Sequence, residues 1–388
     1  MTRMTHRERV RNAINLQEPD CVPMDIGGTT ATCINTDAYE RLRTYLGFTE
    51  SGSGRLRTIS RISRTAIPSE AVLRHLDVDC RGLNLGAPDN PGDHDVDLPD
   101  GSFVDQWGIH WRLAEGPQGF YHDVDSTLRH DDATLQDLAR WKMPDPLDPG
   151  RYRGLRQVAK TLHESNEYAI VVNLRVLVLD LMRMIRGSTQ VMIDMMANRR
   201  FYDGMIDRLT DEYWLPLTSH TLDLVGEYAD VVTINDDLAF QDRLAMSLQV
   251  YRDSALKPAH RRLVDLIKSK TKAKVWFHCC GAAYAVIGDL IDIGVDIFNP
   301  VQVSAVGMDT AKLKRDFGQR IAFWGAIDTQ HVLPHGTPAE VKAEVKKRIL
   351  DLGPGGGFVV APVHHFQADV PPENVVAMCE ATREYGGS

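Results

Sequence analysis

The apolar positions fall into short, β-branched-rich runs separated by longer stretches with helical periodicity. The runs are Val22–Ile26, Val78–Leu83, Ala169–Asn173, Val231–Ile234, Lys274–Cys279, Val295–Asn299, Ile321–Trp324 and Phe358–Ala361. Short and nearly continuous, they read as strands buried on both faces, as in a parallel sheet. The later intervals read as helices: Tyr202–Glu227, Ser247–Lys270 with a basic end, Ala282–Ile293, Asp309–Phe317, Pro338–Leu352 and Pro372–Tyr385. Thr337 and Gly353 suit the cap and the stop of the fifth. Strands alternating with helices predict an α/β fold, the (β/α)8 TIM barrel. A doubly wound open sheet fits less well. No glycine-rich phosphate fingerprint leaves a strand for a helix, and the run Gly353–Gly357 enters a strand instead. At 388 residues the chain exceeds the ~250 typical of the barrel. The surplus lies between the second and third strands. There, residues 86–150 are rich in Pro, Gly and Asp and carry the short pieces Ser102–Trp107 and Ile109–Leu113. The expectation is one barrel domain over 1–388 with a β-hairpin-containing insertion.

Composition narrows the function classes. With 44 basic and 53 acidic residues the formal net charge is −9, a poor match to nucleic acid or an anionic membrane surface. No apolar run approaches the ~20 residues of a membrane span, and Ala169–Met184 is interrupted by Asn173, Arg175, Asp180 and Arg183. The first residues are charged with no apolar core behind them, so they do not read as a signal peptide. A cytoplasmic location is expected, where six cysteines stay thiols.

In a barrel of this kind, chemistry sits at the C-terminal ends of the strands. His278 and Cys280 project to one face of their strand and Cys279 to the other. An imidazole and a thiolate are zinc donors. His364, from another strand end, completes three ligands with a fourth position open, the pattern of a catalytic zinc site. The alternative is that His278 and Cys280 are partly buried core residues at a strand end. Asp236 and Asp237 read as a carboxylate pair, a metal ligand or a helix N-cap. Asp79 reads as orienting a ligand or holding the barrel. Asp25 precedes Gly27 and Gly28, where backbone can approach a ligand closely. Asn173, Asn299, Gln302 and Asp328 are further candidate substrate contacts, and Asp328 also suits a cap.

Several segments together carry a resemblance. They are Arg7-Glu8-Arg9-Val10, Cys21-Val22-Pro23-Met24-Asp25, Asp236-Asp237-Leu238, Phe277-His278-Cys279-Cys280-Gly281, Phe323-Trp324-Gly325-Ala326-Ile327-Asp328-Thr329-Gln330, Ala361-Pro362-Val363-His364 and Pro371-Pro372-Glu373-Asn374. The chain resembles the uroporphyrinogen decarboxylase superfamily over essentially its whole length. The resemblance implies a (β/α)8 barrel and one of two chemistries. One branch decarboxylates the acetate arms of uroporphyrinogen without a cofactor. The other comprises cobalamin-dependent methyltransferases with zinc held by His-x-Cys and a later residue. The decarboxylase branch has Arg-Gln-Ala-Gly-Arg after the first strand, whereas Gly27–Thr32 holds no arginine. An octa-acid loses charge-assisted bonds there. Asp79 falls near the decarboxylase aspartate and His364 near its C-terminal histidine.

His278 and Cys280 match the methyltransferase branch, so the resemblance implies the metal ligands His278, Cys280 and His364. The third ligand is usually Cys in thiol-methylating members. A His2Cys set is less electron-rich, which turns the expectation toward zinc as a Lewis acid on a methyl ether or methylamine. Asp236, Asp237 or Gln302 would supply a fourth ligand. Asp236, Asp237 and Asp79 are the expected catalytic carboxylates. The expected activity is zinc-dependent transfer of a methyl group, as in O-demethylation, from a small-molecule donor to a corrinoid (cobalamin) cofactor. No Asp-x-His-x-x-Gly motif is present, so the corrinoid would come from a separate corrinoid protein or be free. Homodimers are common among relatives. The other readings are a cofactor-independent decarboxylase of tetrapyrrole biosynthesis and a non-catalytic tetrapyrrole- or corrinoid-binding protein.

Overall fold

Seven of the eight apolar runs form one parallel sheet in the computed structural model, which describes residues 4–48, 57–114 and 120–387. In chain order, β1 (Ile34–Asn35), β2 (Arg57–Ser60) and β3 (Thr65–Ile67) make a small antiparallel sheet before the parallel one begins. The parallel sheet contains β4 (Cys80–Asn84), β9 (Ala169–Val176), β10 (Val231–Asn235), β11 (Lys274–His278), β12 (Ile297–Asn299), β13 (Ala322–Ile327) and β14 (Phe358–Pro362). Each strand neighbours the next in sequence, from β4 at one edge to β14 at the other. One face carries Val171, Val231, Trp276, Ile297, Trp324 and Val359; the other carries Ile170, Val172, Val232, Phe277, Phe298 and Phe323. Burial on both faces explains why the strands read as continuous apolar runs. The result is an α/β, TIM-barrel-like architecture.

The eighth run is not a strand. Val22–Ile26 makes a single bridge, Met24 to Val360. Even so, it bonds to both edges of the sheet. Val360 N donates to Pro23 O and Asp25 N to Val360 O on one side, and Asp79 N donates to Met24 O on the other. Pro23 has no N–H to give a ladder, and the Met24 N–H goes to the Asp79 carboxylate (2.7 Å) instead of a strand carbonyl. The helix His6–Ile14 places Val10, Ala13 and Ile14 among the inward-facing strand residues. Arg7 ties it to Asp230, just before β10 (3.0 Å), so it plugs the N-terminal end of the sheet.

Between β4 and β9 lie β5 (Val96–Asp97), β6 (Phe103–Val104), β7 (Ile109–Leu113) and β8 (Tyr121–Ser126), an antiparallel sheet in that order. Trp107 in its β6–β7 turn packs on Tyr213 (4.5 Å between ring centroids) and Trp141 (6.0 Å). The helix expected over Tyr202–Glu227 is interrupted. Helix Arg199–Arg208 passes into a wider π-turn at Leu209–Trp214 before helix Leu215–Val225. Pro216 lacks the N–H that would continue the regular ladder. Among the described residues, no helix is long and apolar enough to cross a membrane.

Candidate metal centre

The register of the sheet builds the site. Asn235, His278 and Asn299 pair across β10, β11 and β12 in one row at the C-terminal ends. They share the inward parity of Val231, Trp276 and Ile297. Asn84 and Asn173 pair in the same way on β4 and β9. The mouth of the barrel is therefore lined with polar side chains directly above an apolar interior.

His278 Nδ1 lies 2.6 Å from Asn299 Oδ1. The amide orientation follows from its other end, because Asn299 Nδ2 donates to the Trp324 carbonyl (2.9 Å). The Nδ1 nitrogen of His278 therefore carries the proton, and the Nε2 lone pair is free. That nitrogen sits 3.3 Å from Cys280 Sγ. Ligand atoms of His278, Cys280 and His364 all lie within 4.8 Å of one another. Tetrahedral zinc with ordinary bond lengths spaces such atoms about 3.4–3.7 Å apart, so a modest contraction makes a zinc site. Gly281 lets the chain turn away after Cys280. Its φ is +92°, and a Cβ would stand 2.4 Å from the Phe240 carbonyl oxygen.

The two histidines are in the protonation state that a metal site requires, and the thiol is not. Burial, then His365 and His278, hold His364 well below the ordinary imidazole value. Burial, then His278, lower His365 to about 4. Both are neutral at pH 7, as ligating imidazole is. Burial, then Asp237, Cys279 and Asp180, push the Cys280 thiol well up. It becomes a thiolate only when a cation displaces its proton.

The other expected site residues divide sharply. Asp237 belongs to the centre: its carboxylate accepts from Cys280 N (2.7 Å) and stands 3.9 Å from His278 Nε2. Asn299 positions His278. Gln302 does not face the metal ligands as a free group. Its Oε1 accepts from Gly281 N and its Nε2 donates to Gln241, so it braces the turn. Asp236 is corrected from catalyst to helix cap. Fully buried, it accepts from Leu179 N, Asp180 N and His260 Nε2. Asp328 braces the turn after β13, accepting from Gln330 N and His331 N ahead of the short helix Val332–His335. Asp79 is corrected most. It precedes β4, at the opposite end of the sheet, where it pairs with His6 (2.7 Å) and Arg383 (2.9 Å). A carboxylate before a strand and one after it look alike in sequence.

Asp25 lies within the barrel, accepting from Gly28 N, Thr32 Oγ1 and Trp324 Nε1. Asn173 bonds Asn84 (2.8 Å). Asn84 carried no signal in the sequence, and Asn235 stood out only as a polar strand end; its Oδ1 is buried beside His278 with no partner among the described residues. Asp180 was visible only as a break in an apolar run. It accepts from Asp237 N (2.9 Å), and burial, then Asp237 and Asp236, push its carboxyl well up.

The family model for Uroporphyrinogen decarboxylase (URO-D) matches residues 121–385. The chain belongs to the uroporphyrinogen decarboxylase family. Two curated members, the uroporphyrinogen decarboxylases of Pseudoalteromonas translucida and Actinobacillus succinogenes, are each 33% identical to it over 85 residues, or 21% of this chain. That match spans 23% of their own length. Among solved structures, a methyltransferase from Methanosarcina mazei superposes with a TM-score of 0.65 at 18% identity. The match covers 98% of this chain and 99% of that one, so the two share their fold.

Two predictions concern this family member's site. Asn299→Leu removes the acceptor that fixes the His278 ring and tautomer. Zinc affinity, read by chelator competition, should fall roughly 10–100-fold. The second concerns Asp25, which burial pushes up to about 6. A carboxyl raised in the folded state stays protonated there while the unfolded chain ionises, so stability is lost as pH rises. Relative to Asp25→Asn, the wild type should lose about 3 kcal/mol between pH ~4 and ~6 and little beyond. Urea unfolding at several pH values reads this directly, and a pH-independent difference would contradict it.

Proposed function

We propose that the chain is a zinc-dependent methyltransferase working in the cytoplasm. It would move a methyl group from a methyl ether or methylamine type of small molecule to a corrinoid supplied by a separate protein or free. The observation that carries this reading is the convergence of His278, Cys280 and His364, with their donors within 4.8 Å, at the C-terminal ends of the sheet. When bound there, zinc supplies a Lewis acid for the donor heteroatom.

The chain's own residues do the rest. Asn299 holds His278 in the ligating tautomer. In the transfer, the bond between methyl carbon and heteroatom breaks, its electron pair stays on the heteroatom, and the carbon takes a new pair from the acceptor. The departing oxygen or nitrogen gains negative charge and then a proton. Asp180 and Asp237, whose carboxylates crowd one another beside Arg183, are the acids nearest the centre from which that proton would come. Asn235 Oδ1, with no partner of its own, can accept from a donor-bearing substrate.

The test is optical. Zinc-loaded protein, cob(I)alamin and a panel of methoxylated aromatics and methylamines should give methylcobalamin only when both protein and zinc are present. No conversion across the panel would sink the reading. A second reading, cofactor-independent decarboxylation, is favoured by the names of the matched family and curated relatives. Turnover of a polycarboxylated tetrapyrrole in metal-free buffer would establish it.

A further inference from the structure

Strand β9 departs from its neighbour just where the barrel opens. It pairs Val171 with Val231 and Val172 with Val232, but next Val176 with Ile234. Asn173, Leu174 and Arg175 therefore form a bulge, a device that re-aims side chains beside active sites. The bulge is held on both sides. Asn173 Nδ2 donates to Asn84 Oδ1 (2.8 Å), and Thr233 Oγ1 donates to Asn173 Oδ1 while accepting from Leu174 N (both 3.2 Å). Arg175 sits in it at φ +52°, left-handed backbone that arginine adopts at a steric cost. Leu174 belongs to the outer core, so Asn173 and Arg175 have the inward parity of Ala169 and Val171.

The guanidinium of Arg175 is half-buried and has no hydrogen bond or ion pair with any described residue. Burial lowers its affinity for its proton, and the one neighbouring group that acts on its charge is the Cys33 thiol. That thiol is itself buried, bonded to the Thr29 carbonyl (3.1 Å) and pushed far up, so it carries no charge. Arg7 and Arg186, buried elsewhere, are matched by Asp230 and Asp194, and Arg151 by the Asp145 carbonyl and the Gln106 amide oxygen. In an acidic chain, an inward-facing arginine left without a carboxylate points to a counter-charge from outside the protein.

We propose that Arg175 binds a carboxylate of the substrate, so that the methyl donor is an anionic, carboxylate-bearing compound. This rests on the methyl-transfer reading of the same barrel mouth. A single guanidinium whose charge no described carboxylate meets matches a monoanion, and its planar fork suits a carboxylate. β9 lies two strands from β11, on the order of 10 Å along the sheet from Arg175 to His278. Allowing for the reach of the side chain and of a metal bond, a body about the size of a single ring fits between carboxylate and methylated heteroatom.

The test uses the full chain without zinc, so that it does not depend on turnover. Binding of 4-methoxybenzoate, its uncharged amide 4-methoxybenzamide and inorganic phosphate is measured by calorimetry. Wild type should bind the carboxylate at least tenfold tighter than the amide. Arg175→Gln should remove that preference and leave the amide unchanged, and Arg175→Lys should keep part of it; circular dichroism confirms that both variants fold. Equal binding of acid and amide, binding of neither, tighter binding of phosphate, or an undiminished preference in Arg175→Gln would each overturn the proposal. If the preference holds but no methyl transfer occurs, the methyl-transfer reading fails and the anion site stands. If transfer occurs without the preference, the reverse is true.

Discussion

Replacing Cys280 with serine should empty the metal centre. The thiol is one of three protein donors, and its removal should cost more than the roughly 10–100-fold in affinity that follows loss of an outer partner. The effect is linked to pH. Burial and the neighbouring carboxylate of Asp237 keep the thiol protonated, so zinc must release that proton to bind. In the wild type, affinity should fall about tenfold for each unit the pH drops below the thiol's pKa. In Cys280→Ser this dependence should shrink, because the hydroxyl gives up no proton. Chelator competition at several pH values measures both effects, and methyl transfer should vanish with the metal. A variant that holds zinc as tightly as wild type would mean that Cys280 is a buried packing residue.

The second large effect is on stability. Asp236→Ala removes a fully buried carboxylate that satisfies two amide groups at the start of the helix Leu179–Arg186 and the Nε2 of buried His260. His260 is held at its other nitrogen by Tyr251 (3.0 Å), so it cannot turn to a new partner. Losing one member of such a buried pair typically costs about 3–5 kcal/mol, a large part of the ~5–15 kcal/mol that holds an ordinary domain. Urea unfolding should show that loss, with Asp236→Asn intermediate because it keeps one acceptor. If Asp236→Ala unfolded like wild type yet lost activity, Asp236 would be a catalyst and not a cap.

These two residues show what a sequence can and cannot carry. His278 and Cys280 were legible because strand alternation puts them on one face, and the parallel sheet turns one end of every strand toward the same mouth. His364 was legible as the polar end of a separate strand. Asp236 sits in the same kind of position, yet its meaning depends on His260, 24 residues away on a different helix, and periodicity does not encode such a partner. Asp79 failed differently, since the position before β4 belongs to the closed end of the sheet. Val22–Ile26 has the apolar content of a strand, but Pro23 and the Asp79 carboxylate take over the ladder there. Arg175 was visible as an interruption in an apolar run and as a polar residue at the end of the third strand. Its lack of a counter-charge appears once the bulge in β9 is on view.

Whether His278, Cys280 and His364 hold zinc can be read from zinc X-ray absorption on the zinc-loaded full chain. The expected shell holds one sulfur at about 2.3 Å and two imidazole nitrogens at about 2.0–2.1 Å, with the sulfur absent in Cys280→Ser and one imidazole absent in His364→Ala. A shell without sulfur in the wild type, or a wild type that takes up no zinc, would contradict it.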